Sequence, residues 1–385
     1  MEISSINTIY YTTLFNICYT CDTRYRIWRW VIILKIDSNN KEMSIYELIK
    51  KNIQSDGRLK KDFRILDEDV WKSNDDGQED VQCLEYIDNM IEADIEGLLD
   101  IIFKIKDNNY DEIEKELEIY FENYRDTILI YREPLYKYFG KNKISISSLN
   151  NIYNFFKKML TKSRNIFIIK ISIITLNSLN LEYNIELLEI IKILALCSEF
   201  TLLGVLFIKI LKNIDINKEI YELAKKVYAW GKIACIFYLE TNTNEIEDWV
   251  LNESTEENIL YNFAAITYSD KADIRKRLKK ISFKKNEFSK ISFLIYSLLF
   301  LDAEKGIIFL DYKEELLINY LERAKSIELS ETEYLTIEEI NSYMEDDIYY
   351  MEELGREMRE DEYFFPLEIS NKLLKECKEI LNNRN

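Results

Sequence analysis

Only eight glycines and two prolines punctuate a chain of 385 residues. Sheets need these residues at their reversals: the commonest hairpins require glycine at positive φ, and proline presets turns. A chain this poor in both lacks the turn chemistry of a strand-rich fold. Helices joined by short polar links need far less of it. The hydrophobic share of 47% is ample for a large core and excludes global disorder. The length is too great for one ordinary compact core and suits an extended array. The expected class is all-α: antiparallel helical pairs in a degenerate HEAT- or TPR-like α-solenoid, with a less regular N-terminal segment. No strict repeat is visible, but a helical pair every 30–40 residues fits such an array.

The chain has no histidine. This excludes a Ser-His-Asp triad, a Cys-His pair, a His-ligated haem and every His-containing metal site. Cys18 and Cys21 have CxxC spacing, which without a second pair is half a zinc site. Cys197 and Cys235 lie in apolar helical patterns and read as core thiols. Reduced cysteines in a cytoplasmic protein are the simplest expectation. No GxGxxG, GxxxxGK[ST] or GxSxG occurs, so no cofactor is expected. The net charge of −18 argues against nucleic acid and anionic membrane surfaces as partners. It suits a protein partner, a basic one included, and leaves a small-molecule ligand open.

Along the chain, residues 1–42 are rich in β-branched and aromatic types without helical periodicity. They read as an irregular extension, with the natural start expected at Met43. There Ser44 and Glu47 have the spacing of a capping box ahead of an apolar stripe at Ile45, Leu48, Ile49 and Ile53. The segment 43–90 is expected to hold this helix and then an exposed acidic loop around SNDDGQED, with a short strand or helix start at 82–89. A calcium loop there fails, because Lys72 and Cys83 would fall on its first and twelfth positions. Residues 91–326 read as the helical array and 327–385 as acidic C-terminal helices. Tracts 165–181 and 185–211 are apolar all round and predict doubly covered helices. Lys170, Asn177 and Glu199 punctuate them, which speaks for burial in protein rather than in lipid. Gly231 marks a break beside Trp230. Asn244 is the expected cap of the helix holding Trp249, and Asp270 of the one ending in the basic run. Further helices are expected at about 287–301, 311–325, 336–354 and 367–382.

Two constellations could carry chemistry. Glu338, Glu339, Glu345, Asp346, Asp347, Glu352 and Glu353 crowd one helix. They read as a solvated acidic face, with a Mg²⁺ or Ca²⁺ site as the alternative. The one basic concentration runs from Lys271 to Lys285. Arg275, Lys276, Arg277, Lys279 and Lys280 are the candidate partner contacts in it. The competing reading has these cations facing acidic neighbours within the folded array. Trp249, with Ile246 and Val250, is a core anchor or an aromatic partner contact.

Three stretches, MSIYELIKKNIQSDGRLKKDF at 43–63, ETNTNEIEDWVLNESTEENILYNFAAITYSDKADI at 240–274 and EKGIIFLDYKEELLINYLERAKS at 304–326, carry a resemblance. Together they resemble an uncharacterised bacterial α-helical family, some members of which are labelled limonene hydroxylase. The resemblance implies an NAD(P)H-dependent monooxygenase. It carries no catalytic residue onto this chain, which has no His for iron and no glycine-rich nucleotide turn. The residues by themselves point instead to a protein-interaction module, with an acidic immunity-type protein that neutralises a basic toxin as a second binding reading.

Overall fold

A computed structural model of the chain describes residues 43–61, 63–65, 76–84, 92–123, 127–179, 184–254, 262–280, 284–299, 306–353 and 365–384. The expected irregular segment 1–42 lies outside them. Eighteen α-helices run through the described residues, with 3-10 turns at Ile128–Tyr131 and Ile307–Phe309. Extended pairing among them is limited to a single bridge between Ile53 and Leu59. The described residues are all-α, as the scarcity of glycine and proline predicts. No helix among the described residues is long and apolar enough to cross a membrane. These residues fall into two compact units.

The first unit holds α1 (Ile45–Lys51), α3 (Glu96–Ile102), α4 (Tyr110–Asn123), α5 (Arg132–Lys141), α6 (Ile146–Lys162) and α7 (Ile166–Ser178). The capping box forms as the sequence predicts. Glu47 N–H donates to Ser44 Oγ and Ser44 N–H donates to the Glu47 carboxylate, both at 3.2 Å. Ser145 caps α6 with a single such bond, accepting from Ser148 N at 3.1 Å. Helix α7 is the centre of this unit, packed by α4, α5 and α6. Every residue of it except Phe167 is buried, which is why its sequence is apolar all round. Its serine hydroxyls bond back to their own helix: Ser172 Oγ donates to Ile168 O and Ser178 Oγ donates to Ile174 O at 2.8 Å.

The second unit holds α2 (Gln78–Gln82) and α8 (Ile185–Leu194), α9 (Ser198–Ile210), α10 (Ile216–Ala224), α11 (Ala229–Tyr238), α12 (Asn244–Glu253), α13 (Asn262–Lys271), α14 (Ile274–Leu278), α15 (Lys285–Leu299), α16 (Lys313–Ala324), α17 (Glu331–Glu353) and α18 (Leu367–Asn382). Alternate helices pack in succession: α9 on α11, α11 on α13, α13 on α15, and α15 on α17. The intervening helices cover this row. Helix α10 lies on α9 and α11, α12 on α13 and α15, and α14, α16 and α18 pack one on the next. Trp230 in α11 is the largest fully buried side chain among the described residues.

Several sequence expectations are corrected here. The tract 185–211 is two helices, broken at residues 195–197, and Gly204 of α9 lies against Ala195. Gly231 is no break: it sits inside α11, and the chain bends before it, at residues 225–228. A Cβ on Gly231 would stand 2.6 Å from Thr201 Oγ1 and 3.2 Å from Ser198 Cα, so this glycine is what lets α11 approach α9. Gly231→Ala is expected to cost about 2 kcal/mol by overpacking, read as an earlier denaturant midpoint at unchanged slope. Of the expected exposed acidic loop, residues 76–80 are described, and they are exposed only at Glu79. Asp76 and Asp80 are buried, Asp76 accepts from Ile65 N at 3.2 Å, and α2 begins at Gln78. Residues 82–84 continue helically, and 85–89 lie outside the described residues.

Cys197, Cys235 and Cys377 are buried, as expected of the first two. Burial pushes the Cys377 thiol up to about 12, and Cys235 is pushed up for the same reason. A buried polar cluster ties α15, α16 and α17 together. Tyr320 Oη donates to Ser292 Oγ at 2.9 Å, and Thr336 Oγ1 donates to Ser292 O at 3.2 Å. Glu333 accepts from the hydroxyls of Ser289 and Ser330 and from Ser330 N. Burial opposes its charge, but these hydrogen bonds prevail and hold its carboxyl below the ordinary 4.5. A depressed folded value contributes stability above pH 4.5 that is lost as pH falls through that value. Glu333→Gln is therefore expected to cost about 2 kcal/mol at pH 7. The gap to wild type should narrow toward pH 3 in urea melts, and parallel curves would contradict the assignment.

Candidate functional site

The basic segment lies between α12, α14, α15 and α16 in the second unit. Asp273 opens α14 in the left-handed region at φ 47 and caps it, accepting from Lys276 N at 3.2 Å. Asp270, the expected cap, does other work: its carboxylate accepts the Tyr312 hydroxyl. The helix holding Trp249 is likewise capped one residue earlier than expected. Thr243 Oγ1 accepts from Ile246 N at 3.3 Å, and Asn244 is the first helical residue.

Arg277 is turned inward, its side chain 3% exposed. Nε donates to Ala272 O at 2.7 Å, just past the end of α13. Nη1 reaches Glu287 of α15 at 2.9 Å and Asp248 of α12 at 2.7 Å. Nη2 faces Glu247 at 3.7 Å. Burial pulls the guanidinium pKa down, and the bonds to Glu287 and Asp248 outweigh it, leaving the pKa above its ordinary value. One side chain thus joins four helical segments, and it is not available to a partner.

The other cations of the run lie around it. Lys276 faces Glu247 at 3.8 Å, Lys280 faces Glu287 at 3.8 Å and Arg275 faces Glu315 at 3.9 Å. Lys279 also pairs with Glu315. Arg275 further stacks over the Tyr312 ring at 5.0 Å. Lys271 donates to Leu239 O at 2.8 Å, and burial together with nearby Lys209 lowers its pKa. Exposed pairs of this kind contribute little stability individually. Collectively they turn the chain's one cationic run into a charge-balanced surface.

Trp249 is half-buried. Its neighbours Ile246 and Val250 are the buried residues of this helix face, and the tryptophan that anchors the core is Trp230. The indole meets Tyr221 of α10 edge to face, with centroids 5.1 Å apart. Beside them Lys232, buried in α11, pairs with Glu253.

The acidic helix α17 distributes its carboxylates. Glu338 binds Arg384 at 2.8 Å and Glu345 binds Lys378 at 2.9 Å. Asp347 departs from the expected solvated face: it is buried and accepts from Ser370 Oγ at 2.7 Å. Among the described residues, no three His, Cys, Asp or Glu side chains converge as a metal site.

The competing reading of the run, cations facing acidic neighbours within the folded array, is the one its ion pairs follow; sequence reasoning did not single out Arg277 as the buried member, because its carboxylate partners sit on two other helices. It missed Glu199 for the same reason. That residue, read only as a polar interruption, accepts the Gly77 N–H at 2.7 Å. Comparison with family models, with curated proteins and with solved structures finds no match.

Proposed function

We propose that this protein is a protein-interaction module, with α9–α18 acting as a HEAT- or TPR-like repeat array that holds a partner protein. The observation that carries the reading is the succession of helices α9, α11, α13, α15 and α17, each covered by an intervening helix. Such an arrangement presents successive helix faces and suits recognition of an extended chain. The net charge of −18, with the basic run balanced by its own neighbours, favours a basic partner. An immunity-type role against a basic toxin is one form of this reading. Affinity purification of the full chain from its native host, quantified by mass spectrometry, tests it. A discrete, stoichiometric, basic protein is expected, and recovery of none would count against the proposal. The monooxygenase implied by the resemblance predicts instead a bound chromophore absorbing above ~300 nm and NAD(P)H-dependent limonene turnover.

A further inference from the structure

The surface around Trp249 has a chemistry of its own. Helix α12, NEIEDWVLNE, carries Glu245, Glu247, Asp248 and Glu253 and no Lys or Arg. Glu245 and Glu253 stand one turn before and one turn after Trp249, on its own face of the helix. Tyr221 of α10 meets the indole edge-on at 5.1 Å. Burial pushes the Tyr221 hydroxyl pKa up. Lys225 opposes this, and Glu245, Glu222 and Glu253 add to it, so all three carboxylates act on one phenol. A cation already sits here: Lys225 Nζ lies 4.5 Å from the centre of the Tyr221 ring and pairs with Glu222. Glu245 itself is exposed.

We infer that Trp249, Tyr221 and the carboxylates of Glu245 and Glu222 form a docking surface for an arginine-bearing segment of a partner protein. Charge complementarity selects the occupant. An aromatic pair edged with carboxylates attracts a cation through both the ring quadrupole and the acid charge. A planar guanidinium can stack on the ring while its fork pairs with a carboxylate. Lys225 shows that a cation fits against this ring, and an incoming arginine would displace it from Glu222. This inference rests on the interaction reading above and names the chemistry of the partner.

The test is calorimetric titration of the full chain with an Arg-Gly-Arg-Gly-Arg peptide at low salt. Trp249→Leu keeps an apolar side chain and removes the ring, and is expected to weaken binding about tenfold. Glu245→Gln, at an exposed position that leaves folding untouched, is expected to weaken it about threefold. Glu352→Gln, the same charge change on α17, is expected to stay within about twofold of wild type. Equal losses from Glu245→Gln and Glu352→Gln would reduce the effect to net charge and overturn the inference, as would no binding by wild type. Host capture separates the two levels. A partner held equally by wild type and Trp249→Leu overturns this surface alone, whereas no partner for wild type overturns the interaction reading beneath it.

Discussion

Replacing Arg277 with methionine should lower stability by about 3 kcal/mol, although the residue lies in a run of surface-like cations. Methionine restores most of the volume, so the loss measures charge. Without the guanidinium, Glu287 and Glu247, at 16% and 14% exposure, keep only the longer pairs to Lys280 and Lys276, each at 3.8 Å. Breaking a buried pair typically costs about 3–5 kcal/mol. Asp248 is 63% exposed and can turn to water, which places the expectation at the lower end. The Ala272 carbonyl also loses its donor, adding about 1 kcal/mol if water does not replace it. The unfolding midpoint should fall by roughly 6–12 °C. Arg277→Lys should recover only part of this, because an ammonium cannot serve Ala272, Glu287 and Asp248 together. In contrast, Lys276→Met, at a side chain 61% exposed, should change stability by less than about 0.5 kcal/mol.

Gly77→Ala should be at least as damaging, at about 3–4 kcal/mol. Two penalties combine. The backbone is at φ 78, in the left-handed region that disfavours any Cβ. The added Cβ would also lie 2.2 Å from the Ser198 carbonyl oxygen and 2.8 Å from its carbon. Both atoms are backbone at the start of α9, so neither can rotate away. Relief would also pull the Gly77 N–H from the Glu199 carboxylate. Gly57 is the internal control. Its φ is 79, but its nearest neighbours are side-chain atoms of Lys226 at 3.7 Å and beyond. Gly57→Ala should therefore cost only about 1 kcal/mol. Chemical denaturation of both variants separates conformation from contact, and equal costs would contradict the close approach at Gly77.

Where signals were local, the sequence was legible. Helix α18 spans 367–382 as periodicity predicts, and α15 begins two residues before the expected 287, while 300–301 lie outside the described residues. The Ser44–Glu47 box is a short-range motif and forms as read. Legibility fails where several residues of one chemistry compete. TNTN holds four cap-competent residues in a row, and DKAD offers two aspartates three apart. Pattern cannot choose between Thr243 and Asn244, or between Asp270 and Asp273. The choice is made by where the preceding chain runs and by what Tyr312 needs. It fails again in 185–211, where α9 is buried through residues 200–208 while α8 leaves Ile185, Glu186 and Glu189 exposed and the apolar run marks no break between them, and at Gly231, where a glycine serves helix contact rather than chain reversal. The candidate site was the least legible part. Arg275, Lys276, Arg277, Lys279 and Lys280 are one run in sequence, but Arg277 alone turns inward, and its carboxylates come from α12 and α15. Periodicity carries no record of such pairing.

The central claim is that the chain's cationic run is turned to its own packing, leaving acidic and aromatic helix faces for a partner. A double-mutant cycle between Arg277 and Glu287 tests it most directly, with Arg277→Met, Glu287→Gln and the double variant compared by urea unfolding. A coupling of about 1.5 kcal/mol or more, little changed between ~0.05 M and ~0.5 M salt, is the predicted result. A coupling under about 0.3 kcal/mol would mean that Arg277 faces solvent with its neighbours, and would contradict the account.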